Sequence, residues 1–150
     1  MVILMDNSFY QVESGDFYVE PGMLNHLKIL HGGVLLKQCD STVGLLANEY
    51  THSRVLTVAI KQFNFTKPGH VGDHIWFRTT LLKTSRHTMT FFTEVLKRDI
   101  DNNAEKVGEG VLIFVAVDDK LRPIEVAPYY IKDMTQQRDV EQLIMTKLKD

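Results

Sequence analysis

Apolar positions change their period along this chain, and each change marks a new element. Over 32–50, Val34, Leu35, Leu36, Cys39, Val43, Leu45, Leu46 and Ala47 recur at helical spacing and cover more than one stripe. That pattern predicts a helix buried on most of its sides. Beyond it the period becomes alternating. Segments 54–66, 74–84, 87–98 and 107–117 are rich in β-formers and predict four long strands. In the third of them Met89, Phe91, Thr93 and Val95 share one face, and Thr90, Phe92, Glu94 and Leu96 the other. The breaks between strands carry turn chemistry: Lys67-Pro68-Gly69 with Val71-Gly72-Asp73, then Ser85-Arg86, then a polar loop from Asp99 to Glu105. Ahead of the helix, residues 8–19 alternate weakly and predict one short strand or two. Glu20-Pro21-Gly22 is a turn, and 23–31 is a loop. Residues 128–149 predict a surface helix of mixed charge.

The order is therefore a strand, a buried helix and four antiparallel strands with short connections. A sheet that long can bury a single apolar helix only by curling around it. The expected class is α+β with hotdog architecture, formed as one domain over 1–150. A sheet of this kind keeps free edges, and long edges are usually paired with another chain. A homodimer with one continuous sheet is expected.

Composition narrows the classes. At 150 residues the chain is long enough to bury roughly 70% of its unfolded surface in one core. Its net charge of −2 gives no general pull toward nucleic acid or an anionic membrane. The single cysteine, Cys39, excludes an internal disulfide and suits a reducing compartment. The start, Met1 to Asp6, lacks a basic region and has too short an apolar run for a signal peptide, and no run reaches transmembrane length. A cytoplasmic protein is the expectation.

The chemistry concentrates in His31-Gly32-Gly33 through Asp40. A glycine pair opening a helix leaves backbone N–H groups free to point at a substrate oxygen. A carboxylate inside an apolar helix is costly without a purpose or a partner. Together they suit an electrophile-activating donor and a general base or nucleophile. Each residue also has a plainer reading. The glycines can serve tight helix–sheet packing, Asp40 can be satisfied by the hydroxyl of Ser41 or Thr42, and Asn25 can be a loop or cap residue. Gly32 and Asp40 stand eight residues apart, about 12 Å along a helix. One reacting carbon cannot touch both in the same helix, so if both act they come from two chains. Cys39 points about 100° away from Asp40 and reads as a buried free thiol. His70, Asp73 and His74 flank a turn and make a poor metal set, so no metal is expected. No Gly-x-Ser-x-Gly elbow is present.

The pattern resembles the acyl-CoA thioester hydrolases of the hotdog superfamily. The pieces that carry it are Asn25-His26-Leu27, His31-Gly32-Gly33 with Leu35, Asp40 with Gly44, Thr57-Val58-Ala59, Phe65 with Lys67-Pro68, Val71-Gly72-Asp73, Arg86-His87-Thr88-Met89 and Phe114-Val115-Ala116-Val117-Asp118. They run in the family's order over about residues 20–125. The resemblance implies hydrolysis of acyl-CoA to a free acid and CoA. It implies Asp40 as the catalytic carboxylate, Asn25 as the assisting asparagine, and Gly32 and Gly33 as the helix start that polarises the thioester carbonyl. Arg86, His87 and Thr88 fall on the loop that meets the nucleotide end of CoA, with Lys67 a further CoA contact. No cofactor is implied, since CoA is part of the substrate. Active sites shared across a homodimer are expected, and assembly to hexamers, as trimers of dimers, is common in the family. Ser41, Gly69 and Lys28 depart from the family's usual residues. Two other functions stay open: a non-catalytic acyl-CoA sensor on the same fold, and a hydratase-type hotdog enzyme using Asp with His26 or His31.

Overall fold

The computed structural model describes residues 9–149; Met1 to Asp6, and the start of the 8–19 segment, lie outside the described residues. In order come β1 (Val12–Tyr18), a 3-10 turn (Pro21–Met23), α1 (Gly32–Thr51), β2 (Arg54–Phe65), β3 (His74–Thr84), β4 (Thr88–Arg98), β5 (Ala104–Val117) and α2 (Met134–Lys147). The strands form one antiparallel sheet in the order β1-β3-β4-β5-β2. The α+β architecture and the long curled sheet agree with the expectation. No helix among the described residues is long and apolar enough to cross a membrane.

The starts of β5 and α2 differ from expectation, each for a local reason, and β1 begins only at Val12. The β4–β5 ladder runs on to Arg98 opposite Ala104, so β5 starts three residues before the apolar run suggests. The loop shrinks to 99–103, where Asp99 Oδ1 accepts from the N–H groups of Asp101 and Asn103 at 2.9 Å each. The last helix starts only at Met134, because Asp133 caps it by accepting the Gln136 N–H at 2.9 Å.

α1 lies across the inner face of the sheet. Leu35, Cys39, Val43, Leu46, Ala47 and Tyr50 are buried at helical spacing against Ile75, Phe77, Phe91, Leu112 and Phe114. The expectation of burial on most sides is not met. Lys37, Ser41, Leu45, Asn48 and Glu49 are exposed, Leu45 by 59%. A single sheet can cover only one flank of a helix, and among the described residues nothing covers the other. The β1 strand reaches α1 through a bulge at Gly15, whose φ is +76°. A Cβ there would stand 2.1 Å from Thr42 Oγ1, so only glycine allows the approach.

The division of β4 into two faces holds: Met89, Phe91, Thr93 and Val95 face α1. The opposite face is also buried, because α2 packs over it. Val140 joins Leu82, Phe92 and Val111 in a second, smaller core, with Leu143 and Ile144 at its margin. Beside it, Glu94 meets Arg78 Nε at 3.0 Å and Lys106 Nζ at 3.2 Å, and Glu109 meets Lys106 and Lys147 at 2.7 and 2.8 Å. Burial alone would raise both carboxyls, but the cations more than offset it and hold them below their ordinary value of 4.5. A lowered carboxylate pKa stabilises the fold above the unfolded value, and that stability is lost as pH falls through the folded one. The melting temperature should therefore fall below about pH 4.5, and fall less steeply in Glu94→Gln. A Glu94→Gln melting curve parallel to wild type across that range would discount the cluster.

Candidate active site

Asp40 sits midway along α1 and is half-buried. Its Oδ1 accepts a hydrogen bond of 2.7 Å from the Thr57 hydroxyl on β2. The hydroxyl expected beside it on the helix is not its partner: Ser41 is exposed, and Thr42 Oγ1 donates to Gln38 O at 2.8 Å. Asp40 Oδ2 has no partner among the described residues. A carboxylate fixed through one oxygen keeps a set direction for the other, as a base or nucleophile requires. Cys39 offers no such chemistry. Burial, with the neighbouring Asp40 charge, pushes its thiol up to about 12, so it stays protonated and inert.

At the helix start, the two glycines differ. A Cβ at Gly32 would meet nothing within 4 Å, so packing within the chain does not explain that glycine. Its N–H has no partner among the described residues. The Gly33 N–H is not free, contrary to expectation: it donates to His31 Nδ1 at 2.9 Å, because the imidazole caps the helix.

Asn25 shapes the loop before the helix. Its Oδ1 accepts from the Leu27 N–H at 2.8 Å, and the turn closes through Asn25 N–H to Ile29 O at 2.9 Å. Its Nδ2 has no partner among the described residues. Lys28, at φ +61°, occupies the left-handed position of this turn, a backbone conformation that a residue with a long side chain rarely adopts. The loop is anchored by Leu30 N–H to Gly69 O at 2.8 Å. A Cβ on Gly69 would lie 3.0 Å from Leu30 Cβ, which accounts for the glycine after Pro68.

The four residues expected at CoA separate into two groups. Arg86 is exposed and only loosely paired, its Nε 3.7 Å from Glu125 Oε1. His87 is tied down through Nδ1 to Ile124 O at 2.8 Å, and Thr88 Oγ1 bonds Ser85 Oγ. Lys67 lies far from them, its Nζ 2.6 Å from Glu105 Oε2. Glu105 and Ala116, whose N–H bonds His87 O, are eleven residues apart on β5, roughly 35 Å of strand. One chain does not bring Lys67 and Arg86 together. Of the weak metal candidates, Asp73 is engaged by the His70 N–H at 2.8 Å and Lys97 Nζ at 3.4 Å, while His74 faces Asp16. Among the described residues no group of three metal-ligating side chains occurs.

Comparison with known proteins places this geometry. The family model of the thioesterase superfamily matches residues 27–103. An uncharacterized acyl-CoA thioester hydrolase of Zymomonas mobilis is 34% identical over 101 residues, 66% of this chain and 67% of that protein. The hexameric thioesterase y2039 of Yersinia pestis superposes with a TM-score of 0.72 at 29% identity, over 74% of this chain and 91% of that one. An acyl-CoA hydrolase of Staphylococcus aureus, solved with butyryl coenzyme A, shares the fold with a TM-score of 0.79 at 22% identity, over 92% and 84% of the two chains. That hydrolase has also been solved with an asparagine, an aspartate or a threonine replaced by alanine.

Proposed function

The chain belongs to the thioesterase superfamily, among its acyl-CoA thioester hydrolases, and from that premise we propose that Asp40 drives cleavage of an acyl-CoA thioester to the free acid and CoA. The observation that carries this reading is the half-buried Asp40 carboxylate, held through one oxygen by Thr57 at 2.7 Å. Its other oxygen takes a proton from water as that water attacks, or attacks the carbonyl itself to give an anhydride that water then hydrolyses to the free acid and the regenerated carboxylate. Both routes put negative charge on the carbonyl oxygen and release the CoA thiolate. The oxyanion is met by backbone donors at the start of α1, which are already oriented. Gly32 N–H is open to it, and Gly33 N–H becomes so if the His31 imidazole gives way. Thr57 is a positioning residue. No cofactor is required, because carboxylate, backbone donors and water suffice. The protonated, buried Cys39 suits a reducing, cytoplasmic setting.

The site is shared between two chains. Gly32 and Asp40 are about 12 Å apart on one helix, so Asn25 and the glycine start act with Asp40 of the partner subunit. The exposed flank of α1 and the edge strand β2, with Leu56 and Val58 exposed by 42% and 57%, support that reading. Spacing supports the residue roles: Asn25, Asp40 and Thr57 are separated by 15 and 17 residues, as are the three residues replaced in the Staphylococcus aureus hydrolase. The hexameric relatives fit assembly of such dimers into trimers. A hydratase would need a histidine beside Asp40, and the partner there is Thr57.

Release of free CoA thiol from a panel of acyl-CoAs tests the reading. Binding without thiol release would make the protein a sensor, and a changed enoyl chain on an intact thioester would make it a hydratase. Within that panel, Arg86→Ala should raise KM about fivefold with kcat little changed. A remote, exposed phosphate contact is worth about 1 kcal/mol and serves substrate and transition state alike. The effect should shrink as salt rises. A KM equal to wild type at low salt would leave Arg86 as a turn residue only.

A further inference from the structure

A lysine stands on the inner face of the sheet, where the alternation of β4 calls for an apolar side chain. Lys97 follows Thr93 and Val95 on the face turned to α1, and it stands opposite the fully buried Ile75 in the β3–β4 ladder. It is only 8% exposed, and the carboxylate it meets, Asp73, only 5%. Lys97 Nζ lies 3.4 Å from Asp73 Oδ2 and donates to Pro68 O at 3.1 Å. Burying two charges costs about as much as their attraction returns, so stability alone does not account for the pair. What the pair does is join the two ends of the loop over 66–73 that links β2 to β3.

Asp73 closes that loop further. Its Oδ2 accepts the His70 N–H at 2.8 Å, and its own N–H donates to His70 O at 3.0 Å. The held loop in turn holds the start of α1. Next to the carbonyl that Lys97 grips, Gly69 O accepts the Leu30 N–H at 2.8 Å. Leu30 is buried, and a Cβ on Gly69 would stand 3.0 Å from Leu30 Cβ, so loop and leucine are in close contact and one cannot shift without the other. His31 follows, its N–H donating to Met23 O at 2.8 Å, and then Gly32 with its open N–H. The Asn25 N–H is tied to Ile29 O, so Asn25 travels with the same segment.

Resting on the hydrolytic reading of Gly32 and Asn25, we propose that the buried Lys97–Asp73 pair is a positioning device for thioester cleavage. It fixes the 66–73 loop so that Leu30 sets the Gly32 donor and Asn25 where the oxyanion forms. Both charged groups are buried, so they act through the backbone and not on the substrate. Oxyanion donors must be in place before charge develops, and a misplacement of about 1 Å can cost about a hundredfold in rate. An ammonium shared between a carbonyl and a carboxylate has directional partners, which an apolar contact at the same place lacks.

The test uses Lys97→Met/Asp73→Asn, which removes both charges at similar volume and should melt within a few degrees of wild type. Its kcat for acyl-CoA should fall about tenfold with KM unchanged, because the donors serve the transition state and not the bound substrate. The Leu30 amide should exchange its hydrogen about tenfold faster, while amides in the middle of β4 keep the wild-type rate. Gly69→Ala strikes the same link with the ion pair intact. Its Cβ presses on Leu30 and should lower kcat about threefold, again without a change in KM. A folded double variant with wild-type kcat overturns the proposal. So does a loss of kcat that only tracks the folded fraction, or a rise in KM with kcat intact. Should the double variant not fold, Gly69→Ala decides: wild-type kcat there overturns the link, and a lowered kcat at an unchanged melting temperature supports it. A wild-type protein that releases no thiol removes the hydrolytic reading, whereas Leu30 exchange still shows whether the pair holds the loop, so the two fail separately.

Discussion

Asp40→Asn lowers acyl-CoA hydrolysis at least about a hundredfold and leaves acyl-CoA binding in place. The substitution keeps the size of the side chain, and its amide oxygen can still accept the Thr57 hydroxyl that now meets Oδ1 at 2.7 Å. What it removes is the second oxygen as base or nucleophile. The carboxylate is half-buried and has no cation paired with it among the described residues, so the neutral amide should cost the fold little. Melting temperatures within a few degrees of each other would confirm that activity, not folding, is being read. Thr57→Ala is the companion variant. It frees the carboxylate to rotate and should cost about tenfold in kcat, roughly one hydrogen bond, with Thr57→Ser restoring most of it. Turnover of Asp40→Asn near the wild-type level, measured as thiol release under saturating substrate, would remove Asp40 from the mechanism.

How much of this was legible depended on whether a feature was local. The extent of α1 follows from helical period and a glycine start, and the strands from alternation, so both were readable within a residue or a few. Which side of α1 is covered was not readable. Leu36 and Leu45 are as apolar as Leu35 and Leu46, and only the position of one sheet decides that Leu45 stays exposed. Thr57 was missed as a site residue for the same reason. It lies seventeen residues from Asp40 and meets it through the packing of β2 against α1, with only the Thr57-Val58-Ala59 resemblance as a signal. The capping of Gly33 was hidden because histidine is not a usual N-cap. Lys67 and Arg86 looked alike as basic residues next to turns, yet strand order sends them to opposite ends of β5. The inner core of α2 was faint because Val140, Leu143 and Ile144 are spread thinly among polar neighbours.

Mixing two inactive variants restores activity if the site is shared, and this follows from the positions of Asn25 and Asp40 on either side of the first two turns of α1. Asn25 lies in the loop that Leu30 pins to Gly69, ahead of the helix start, whereas Asp40 lies midway along the helix against β2. Two copies of α1 packed antiparallel about a two-fold axis bring the start of one beside the middle of the other. In pure Asn25→Ala and pure Asp40→Asn dimers, both sites are damaged and turnover is near zero. In a mixed dimer, one site collects both lesions and the other collects neither. Refolding equal amounts of the two chains together gives about half mixed dimers by statistical pairing, and one intact site in each returns roughly a quarter of wild-type activity. If Asn25 and Asp40 instead acted within one chain, every site would carry a lesion and mixing would return nothing. Differently tagged chains, captured in sequence on two resins, establish that mixed dimers have formed. A doubly captured fraction as inactive as its parents would then assign the whole site to a single chain, whatever the activity of Asp40→Asn alone.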